Sequence, residues 1–255
     1  MSRHAPTFHV IIPARYASVR LPGKPLLDLR GRPLIEHVHA QATRSHAASV
    51  TVATDDERIH DVVAAFGGAV WMTDPAHPSG TDRVAEAARH LGFEDTALIV
   101  NLQGDEPLMP PALIDQVALC LSEHHEAHIA TACEPILDPQ LFADPSVVKV
   151  VCDQQGHALY FSRASVPAQH TGVDDPAQAL GLAARHIGIY AYRMQYLQTL
   201  TSRPVSQLEQ VERLEQLRAL WHGDTIAVCR AVATPGPGID TLEDLRQVNM
   251  LLAID

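Results

Sequence analysis

Four short runs rich in aliphatic and β-branched residues, FHVII (8–12), SVTVAT (49–54), AVWM (69–72) and ALIVNL (97–102), are separated by stretches of helical pattern at 33–45, 56–66 and 82–91. This alternation restricts the fold more than any other feature. Strands joined through helices run parallel, because a parallel neighbour is reached only by a crossover of a dozen or more residues. A parallel sheet is in turn covered by helices on both faces. A helix at 111–124 and a strand at HIATAC (128–133) continue the pattern. Past residue 145 the order changes. VVKVVC (147–152), ALYFS (158–162), HIGIYAYR (186–193) and TIAVCRA (225–231) follow with little helix between them, so part of the sheet is expected to be antiparallel or to form a subdomain. AQHTGVDDPAQALG (168–181) lacks periodicity and reads as a surface loop.

Two further helices are predicted at 207–221 and 242–253. In the first, Leu208, Val211, Leu214 and Leu217 recur every three residues as a buried stripe. Glu209, Glu212 and Gln216 fall on a second, polar face that needs no explanation beyond solvation.

Composition narrows the function. With 255 residues, 46% of them hydrophobic, the chain can bury a full core. Its formal net charge of −11 provides no global basic field, so neither nucleic acid nor an anionic membrane is an expected partner. No apolar run reaches the roughly 18 residues of a membrane span, and MSRHAPTFHVIIPAR has no signal-peptide core; a cytoplasmic protein is expected. Cys120, Cys133, Cys152 and Cys229 are far apart, sit in apolar contexts and read as free buried thiols.

Against that acidic background, IIPARYASVRLPGKPL (11–26) gathers Arg15, Arg20 and Lys24 immediately after the first strand. Ligands of open α/β sheets sit beyond the carboxyl ends of the strands, which is where this loop emerges. Gly23 allows close backbone approach, and the three cations suit phosphate oxygens. The loop is neither a Walker A sequence, since Ser18 and Pro25 stand where glycine and Ser/Thr are needed, nor the GxGxxG of a dinucleotide dehydrogenase. VNLQGDEPLMP (100–110) places Asp105 and Glu106 after another strand, at the same edge if the strands are parallel. A carboxylate facing phosphate-binding cations is what a magnesium–nucleotide site requires. In PGPGIDTLEDL (235–245) Asp240 precedes a capping-box pair, Thr241 and Asp244. Asp240 is therefore either part of a helix entry or a second metal carboxylate. Ser79 of SGTDR (79–83) reads as an N-cap, and HHEAH (124–128) fits no standard zinc spacing and reads as a solvated connector.

Taken together, IIPARYASVRLPGKPL, VATDDERI, SGTDR, VNLQGDEP, ALYFSRASVP, RHIGIYAYR, LEQVERLEQLRALWHG and GIDTLEDL resemble, in order, the 3-deoxy-manno-octulosonate cytidylyltransferase family. The resemblance implies a Rossmann-like nucleotide-diphospho-sugar transferase fold, with a mixed, mostly parallel sheet and helices on both faces. It implies one domain over residues 1–255, with a sugar-binding and dimerisation subregion around 134–223, a homodimer and dependence on Mg²⁺. The implied reaction converts CTP and 3-deoxy-D-manno-octulosonate (Kdo) to CMP-Kdo and pyrophosphate for lipopolysaccharide. Arg15, Lys24, Asp105 and Asp240 would be catalytic, with Asp105 and Asp240 holding the metal. Pro13, Ala14, Arg15, Arg20, Lys24, Ser79, Gly80, Arg83 and Gln103 would meet the nucleotide. Gln103, Arg163, His186, Tyr190, Glu212 and Gln216 would meet the sugar, Arg163 taking its carboxylate. Other readings are activation of a different 2-keto acid sugar (an 8-amino Kdo analogue or a sialic acid), a nucleotide-binding regulator without turnover, and a NAD-linked oxidoreductase lacking its glycine fingerprint.

Overall fold

A computed structural model describes residues 5–17, 21–168 and 177–253. In chain order the elements are β1 (Phe8–Ala14), β2 (Asp28–Leu29), β3 (Arg32–Pro33), α1 (Leu34–Thr43), β4 (Ser49–Thr54), α2 (Glu57–Ala65), β5 (Ala69–Met72), α3 (Gly80–His90), β6 (Leu98–Asn101), α4 (Pro111–Glu123) and β7 (Ile129–Pro135). Then come α5 (Pro139–Ala143), β8 (Lys149–Cys152), β9 (Ala158–Ser162), α6 (Ala177–Leu182), β10 (Ala184–Arg193), α7 (Met194–Ser202), α8 (Gln207–Glu212), α9 (Leu217–Trp221), β11 (Ile226–Arg230) and α10 (Leu242–Leu251). The main sheet runs β11-β7-β10-β6-β1-β4-β5. Strands β1, β4, β5 and β6 are parallel. Strand β10 is antiparallel to both β6 and β7, and β11 is parallel to β7, so β7 and β11 point the same way as β1. The hairpin β8–β9 joins through the start of β10, which gives the antiparallel portion expected past residue 145.

The period-2 geometry of β1 explains the two helical layers. Phe8, Val10 and Ile12 enter a core with α1, α2, α4 and Val248 of α10, whereas Ile11 enters the opposite core with α3, α7 and α9. Both faces of a central strand are therefore apolar, as parallel sheets require.

Three expectations change. The helix expected at 207–221 is broken: α8 ends at Arg213 in left-handed backbone (φ 57°), and α9 begins at Leu217. The break removes the predicted stripe, leaving Val211 83% exposed while Leu214 and Leu217 stay buried. It also separates the polar row. Glu209 pairs with Arg218 at 2.7 Å, the Glu212 carboxylate accepts from Ser162 and from the Arg163 backbone N–H, and Gln216 is buried. Second, α7 was not expected; its apolar residues Leu197 and Leu200 cover the sheet directly after β10. Third, α6 occupies 177–182, inside the expected 168–181 loop, whose residues 169–176 lie outside the described residues. No described helix is long and apolar enough to cross a membrane.

Lys149, in the apolar run VVKVVC, is fully buried. Its ammonium donates to the carbonyl oxygens of Asp144 (2.8 Å), Val147 (2.7 Å) and Arg163 (2.7 Å), tying the loop before β8 to the end of β9. Burial holds its pKa below the ordinary lysine value. Substituting Lys149→Met leaves three carbonyls without this donor and is expected to destabilise the chain by about 3 kcal/mol, read as a lower urea midpoint at unchanged m-value.

Candidate active site

The C-terminal ends of β1 and β6 open onto a cavity of about 560 Å³. Its wall contains Pro13, Ala14 and Arg15 from the end of β1, Lys24 and Pro25 from the short 3₁₀ turn Lys24–Leu26, and Ser79, Gly80 and Arg83 from the start of α3. Gln103, Gly104 and Asp105 follow β6, and Asp240 arrives from the approach to α10. The cationic loop and both acidic turns therefore meet at one sheet edge.

The centre of this meeting is Lys24. Its Nζ donates to Asp105 Oδ2 at 2.8 Å and to Asp240 Oδ1 at 2.9 Å. Burial alone would lower its pKa, but the two carboxylates outweigh that and hold the ammonium above its ordinary value. The loop leading to it closes on itself. Gly23 sits at φ 70°, left-handed backbone that glycine accepts readily, and donates its N–H to the Tyr16 carbonyl at 3.0 Å. The Arg58 guanidinium lies 3.3 Å from the centre of the Tyr16 ring, joining the loop to the start of α2.

Backbone packing delivers Asp240. Ile239 donates its N–H to the Asp105 carbonyl at 2.9 Å, so the two acidic turns are joined main chain to main chain. Gly238 leaves room beside that junction for the Glu106 carboxyl, since a Cβ there would stand 2.8 Å from Glu106 Oε1. Glu106 thus turns away beneath Gly238, and burial followed by the charge of Asp105 pushes its carboxyl up to about 8. Of the adjacent acidic pair, Asp105 alone is left to face the cation.

Other predicted nucleotide contacts have structural duties too. Ser79 caps α3 by accepting from the Asp82 N–H at 3.2 Å, as its sequence context suggested, and it also lines the cavity. Arg83 is almost wholly buried, with Asp55 at 2.7 Å and Thr73 also accepting from it, so its charge is largely met within the protein. Arg15 is exposed at the rim. Gln103 lines the cavity and donates weakly to Asn101 at 3.4 Å. Arg20 lies outside the described residues. His77 and Pro78 were missed; they immediately precede SGTDR, and a histidine at a helix approach carried no separate signal in the sequence.

The remaining predicted sugar contacts do not line this cavity. Arg163 donates to the carbonyls of Glu212 (2.8 Å) and Pro145 (3.1 Å), while the Glu212 side chain holds Ser162 and the Arg163 N–H, so this pair clamps α8 to the end of β9. His186 and Tyr190 flank a β-bulge in β10, with ring centres 5.4 Å apart. Thr131 Oγ1 gives its single proton to a carbonyl, with Ile189 O at 2.8 Å, so at 2.9 Å His186 Nε2–H is the donor and Nδ1 keeps its lone pair. Burial keeps that imidazole neutral, with its pKa lowered to about 3, and raises that of Tyr190. The Gln216 Nε2 atom is buried without a hydrogen-bond partner among the described residues.

The sequence pattern of the cytidylyltransferase family matches residues 9–226. A protein of Halorhodospira halophila named 3-deoxy-manno-octulosonate cytidylyltransferase is 51% identical over 246 residues, 95% of this chain and 96% of its own. One of the same name from Pseudomonas fluorescens is 51% identical over 248 residues, covering 96% of this chain and 98% of its own. Among solved structures, CMP:2-keto-3-deoxy-manno-octonic acid synthetase complexed with CTP superposes with a TM-score of 0.89 at 40% identity, over 98% of this chain and 99% of that one. A cytidylyltransferase from Leptospira borgpetersenii, at 17% identity and a TM-score of 0.61 over 99% of this chain and 88% of its own, shares the fold. The chain belongs to the cytidylyltransferase family and, within it, to the 3-deoxy-manno-octulosonate cytidylyltransferases.

Proposed function

We propose that this chain converts CTP and Kdo to CMP-Kdo and pyrophosphate, activating a sugar acid for lipopolysaccharide. The observation that carries this reading is the convergence of Asp105 and Asp240 on the Lys24 ammonium in the cavity, in a chain half identical to proteins named for the activity. In this reaction the anomeric hydroxyl adds to the α-phosphorus of CTP. The bond from that phosphorus to the oxygen bridging to the β-phosphate breaks, and pyrophosphate leaves. Such a transfer asks the protein mainly for positioning and for charge at the departing phosphates.

Arg15 at the rim and Lys24 at the centre supply two cations for the triphosphate. The start of α3 at Ser79 and Gly80 adds the N–H groups of a helix N-terminus, a natural partner for phosphate. Lys24 hangs on a flexible four-carbon stem, so its ammonium has the reach to leave the aspartates for phosphate oxygens. Two carboxylates already directed at one cation suit Mg²⁺, which takes one or two carboxylates and fills its shell with water and substrate oxygens. Bound there, Mg²⁺ supplies charge to the α-phosphate and sugar oxygens.

For the sugar, support comes from polar groups with capacity left over. Gln216 carries a buried amide N–H without a described partner, and His186 Nδ1 remains an acceptor. Arg163 spends two of its five N–H donors on carbonyls. Tyr190 stands beside His186, while Glu212 acts by positioning Arg163. A homodimer fits the exposure of Leu137, Leu141, Leu159, Leu182, Val211 and Trp221, all within 134–223. Four free cysteines fit a reducing cytoplasm.

Pyrophosphate release from CTP is the direct test, with Kdo, its 8-amino analogue and a sialic acid as acceptors, each with and without Mg²⁺. Kdo is expected to be the preferred acceptor and release to need the metal; release without any divalent ion removes the metal from the scheme. Asp105→Asn and Asp240→Asn are each expected to lower turnover at least about 100-fold with an unchanged circular dichroism spectrum. Near-normal turnover removes that aspartate from the site. His186 adds a pH signature. Its pKa of about 3 in the fold lies below the ordinary 6.5, so the unfolded chain takes up a proton that the native chain refuses. The stability contributed by neutral His186 is full above pH 6.5 and is lost as pH falls towards 3. Urea unfolding across that window should show a steeper fall for the wild type than for His186→Gln.

A further inference from the structure

The connector HHEAH does not stay a connector once the chain is folded. His124 and Glu126 are joined by His157, more than thirty residues later, and one ligand atom from each of the three lies within 4.8 Å of the others. His124 caps the C-terminus of α4, Glu126 sits in the turn into β7, and His157 lies in the β8–β9 turn, bridged to Ala227 of β11. These are the N-terminal ends of β7 and β11. Because β7 points the same way as β1, the trio occupies the sheet edge opposite to the cavity at the C-terminal end of β1.

The two imidazoles are oriented as metal ligands are. His124 Nδ1 stands 2.9 Å from the Cys120 carbonyl oxygen, which can only accept, so Nδ1 carries the proton and Nε2 is left with its lone pair. His157 presents Nδ1 to Asp153 Oδ2 at 3.5 Å and Nε2 to Glu126 Oε1 at 2.9 Å. Asp153 is itself fixed, since its Oδ1 accepts from the N–H groups of Gln155 and His157 at 2.8 Å each. A carbonyl behind one histidine and a carboxylate behind the other are the outer partners that set the tautomer and raise ligand basicity at metal centres. The backbone beneath is held as well. Arg193 reaches the carbonyls of Leu121 (2.9 Å), His124 (3.3 Å) and Ala127 (3.3 Å), locking the exit of α4.

We propose that His124, Glu126 and His157 form a second metal site, taking a borderline divalent transition ion, with Zn²⁺ as its natural occupant, and leaving one coordination position to water. Two imidazoles and a carboxylate match Zn²⁺, which is tetrahedral with Zn–N of about 2.0–2.1 Å, and they do not match Mg²⁺ or Ca²⁺, which prefer an all-oxygen shell. Tetrahedral ligands at that bond length lie roughly 3.3 Å apart. Glu126 and His157 are already closer than this, and Glu126, 56% exposed, is free to swing. The ion would staple the β8–β9 hairpin, which pairs with Ala184 and Arg185 of β10 and through the His157–Ala227 bridge with β11, to the end of α4.

The test uses chelator-stripped full-length chain in excess Mg²⁺, so that the aspartates of the cavity are not read as the zinc site. Calorimetric titration with Zn²⁺ should show one equivalent bound, and Co²⁺ should give the visible absorption of a low-coordinate nitrogen–oxygen site. Zn²⁺ should raise the melting temperature by mass action and shift two imidazole resonances in histidine-selective ¹⁵N NMR of the wild type. His124→Ala/His157→Ala should weaken binding at least 100-fold, and Asp153→Asn, which removes only an outer partner, about 10-fold. Mg²⁺-dependent pyrophosphate release without zinc should be unchanged in Glu126→Gln. Unaltered zinc affinity in both Glu126→Gln and the double variant, or a wild-type NMR spectrum in which two imidazoles do not respond, overturns the proposal.

Discussion

Everything at the catalytic edge depends on one ammonium group held between two carboxylates. Asp105 and Asp240 are 135 residues apart in the chain (240 − 105) and would repel one another if brought together alone. A cation between them changes the sign of the interaction, and among the described residues Lys24 fills that place. The main-chain bond from Ile239 to Asp105 ties the two acidic turns together. A neutral Glu106 beside it keeps the local charge from growing further. The same geometry concentrates opposite charges at the mouth of the cavity.

Strand direction divides the molecule into two working edges. Parallel β1, β5 and β6 lead at their C-terminal ends into segments that line the cavity, and β10, inserted antiparallel between β6 and β7, leaves β7 and β11 pointing the same way as β1. The loops that precede β7 and β11 are therefore on the far side, and there His124 and Glu126 of the α4 exit meet His157 of the β8–β9 turn. One sheet can serve two chemically different centres, oxygen-rich at one edge and nitrogen-rich at the other, because its edges are separated by the length of a buried strand.

Between them, the polar groups of β9, β10 and α8–α9 carry structural duties. Glu212, Arg163, Ser162 and Lys149 form a continuous set of bonds that fastens two loops and a helix end. Buried polar groups are tolerable only when paired, which is why most members of this set are satisfied internally. Gln216 Nε2 and, in β10, Arg185 Nε depart from that rule among the described residues, and a buried donor left over is a place where an added acceptor oxygen gains most.

The sequence by itself determined the layered α/β architecture, because the period-2 apolar runs and the helices between them admit little else. It also marked Arg15, Lys24 and Asp105 as charges in loops that follow strands, while Asp240, which reads equally as a helix entry, joined them through the family resemblance. It did not determine the break at Arg213: Leu208, Val211, Leu214 and Leu217 kept helical spacing, while the clamp from Glu212 to Ser162 and Arg163 comes from contacts remote in sequence, and the pairing of Glu209 with Arg218 spans the break itself. It could not see α7, which is helical because it lies against the sheet, nor Lys149, whose three carbonyl partners exist only after β8 and β9 pair. Nor could it join His157 to His124 and Glu126. Local pattern encodes which face of an element is buried; which remote side chains then meet is decided by tertiary packing, since only packing sets distances between residues that the chain itself keeps far apart.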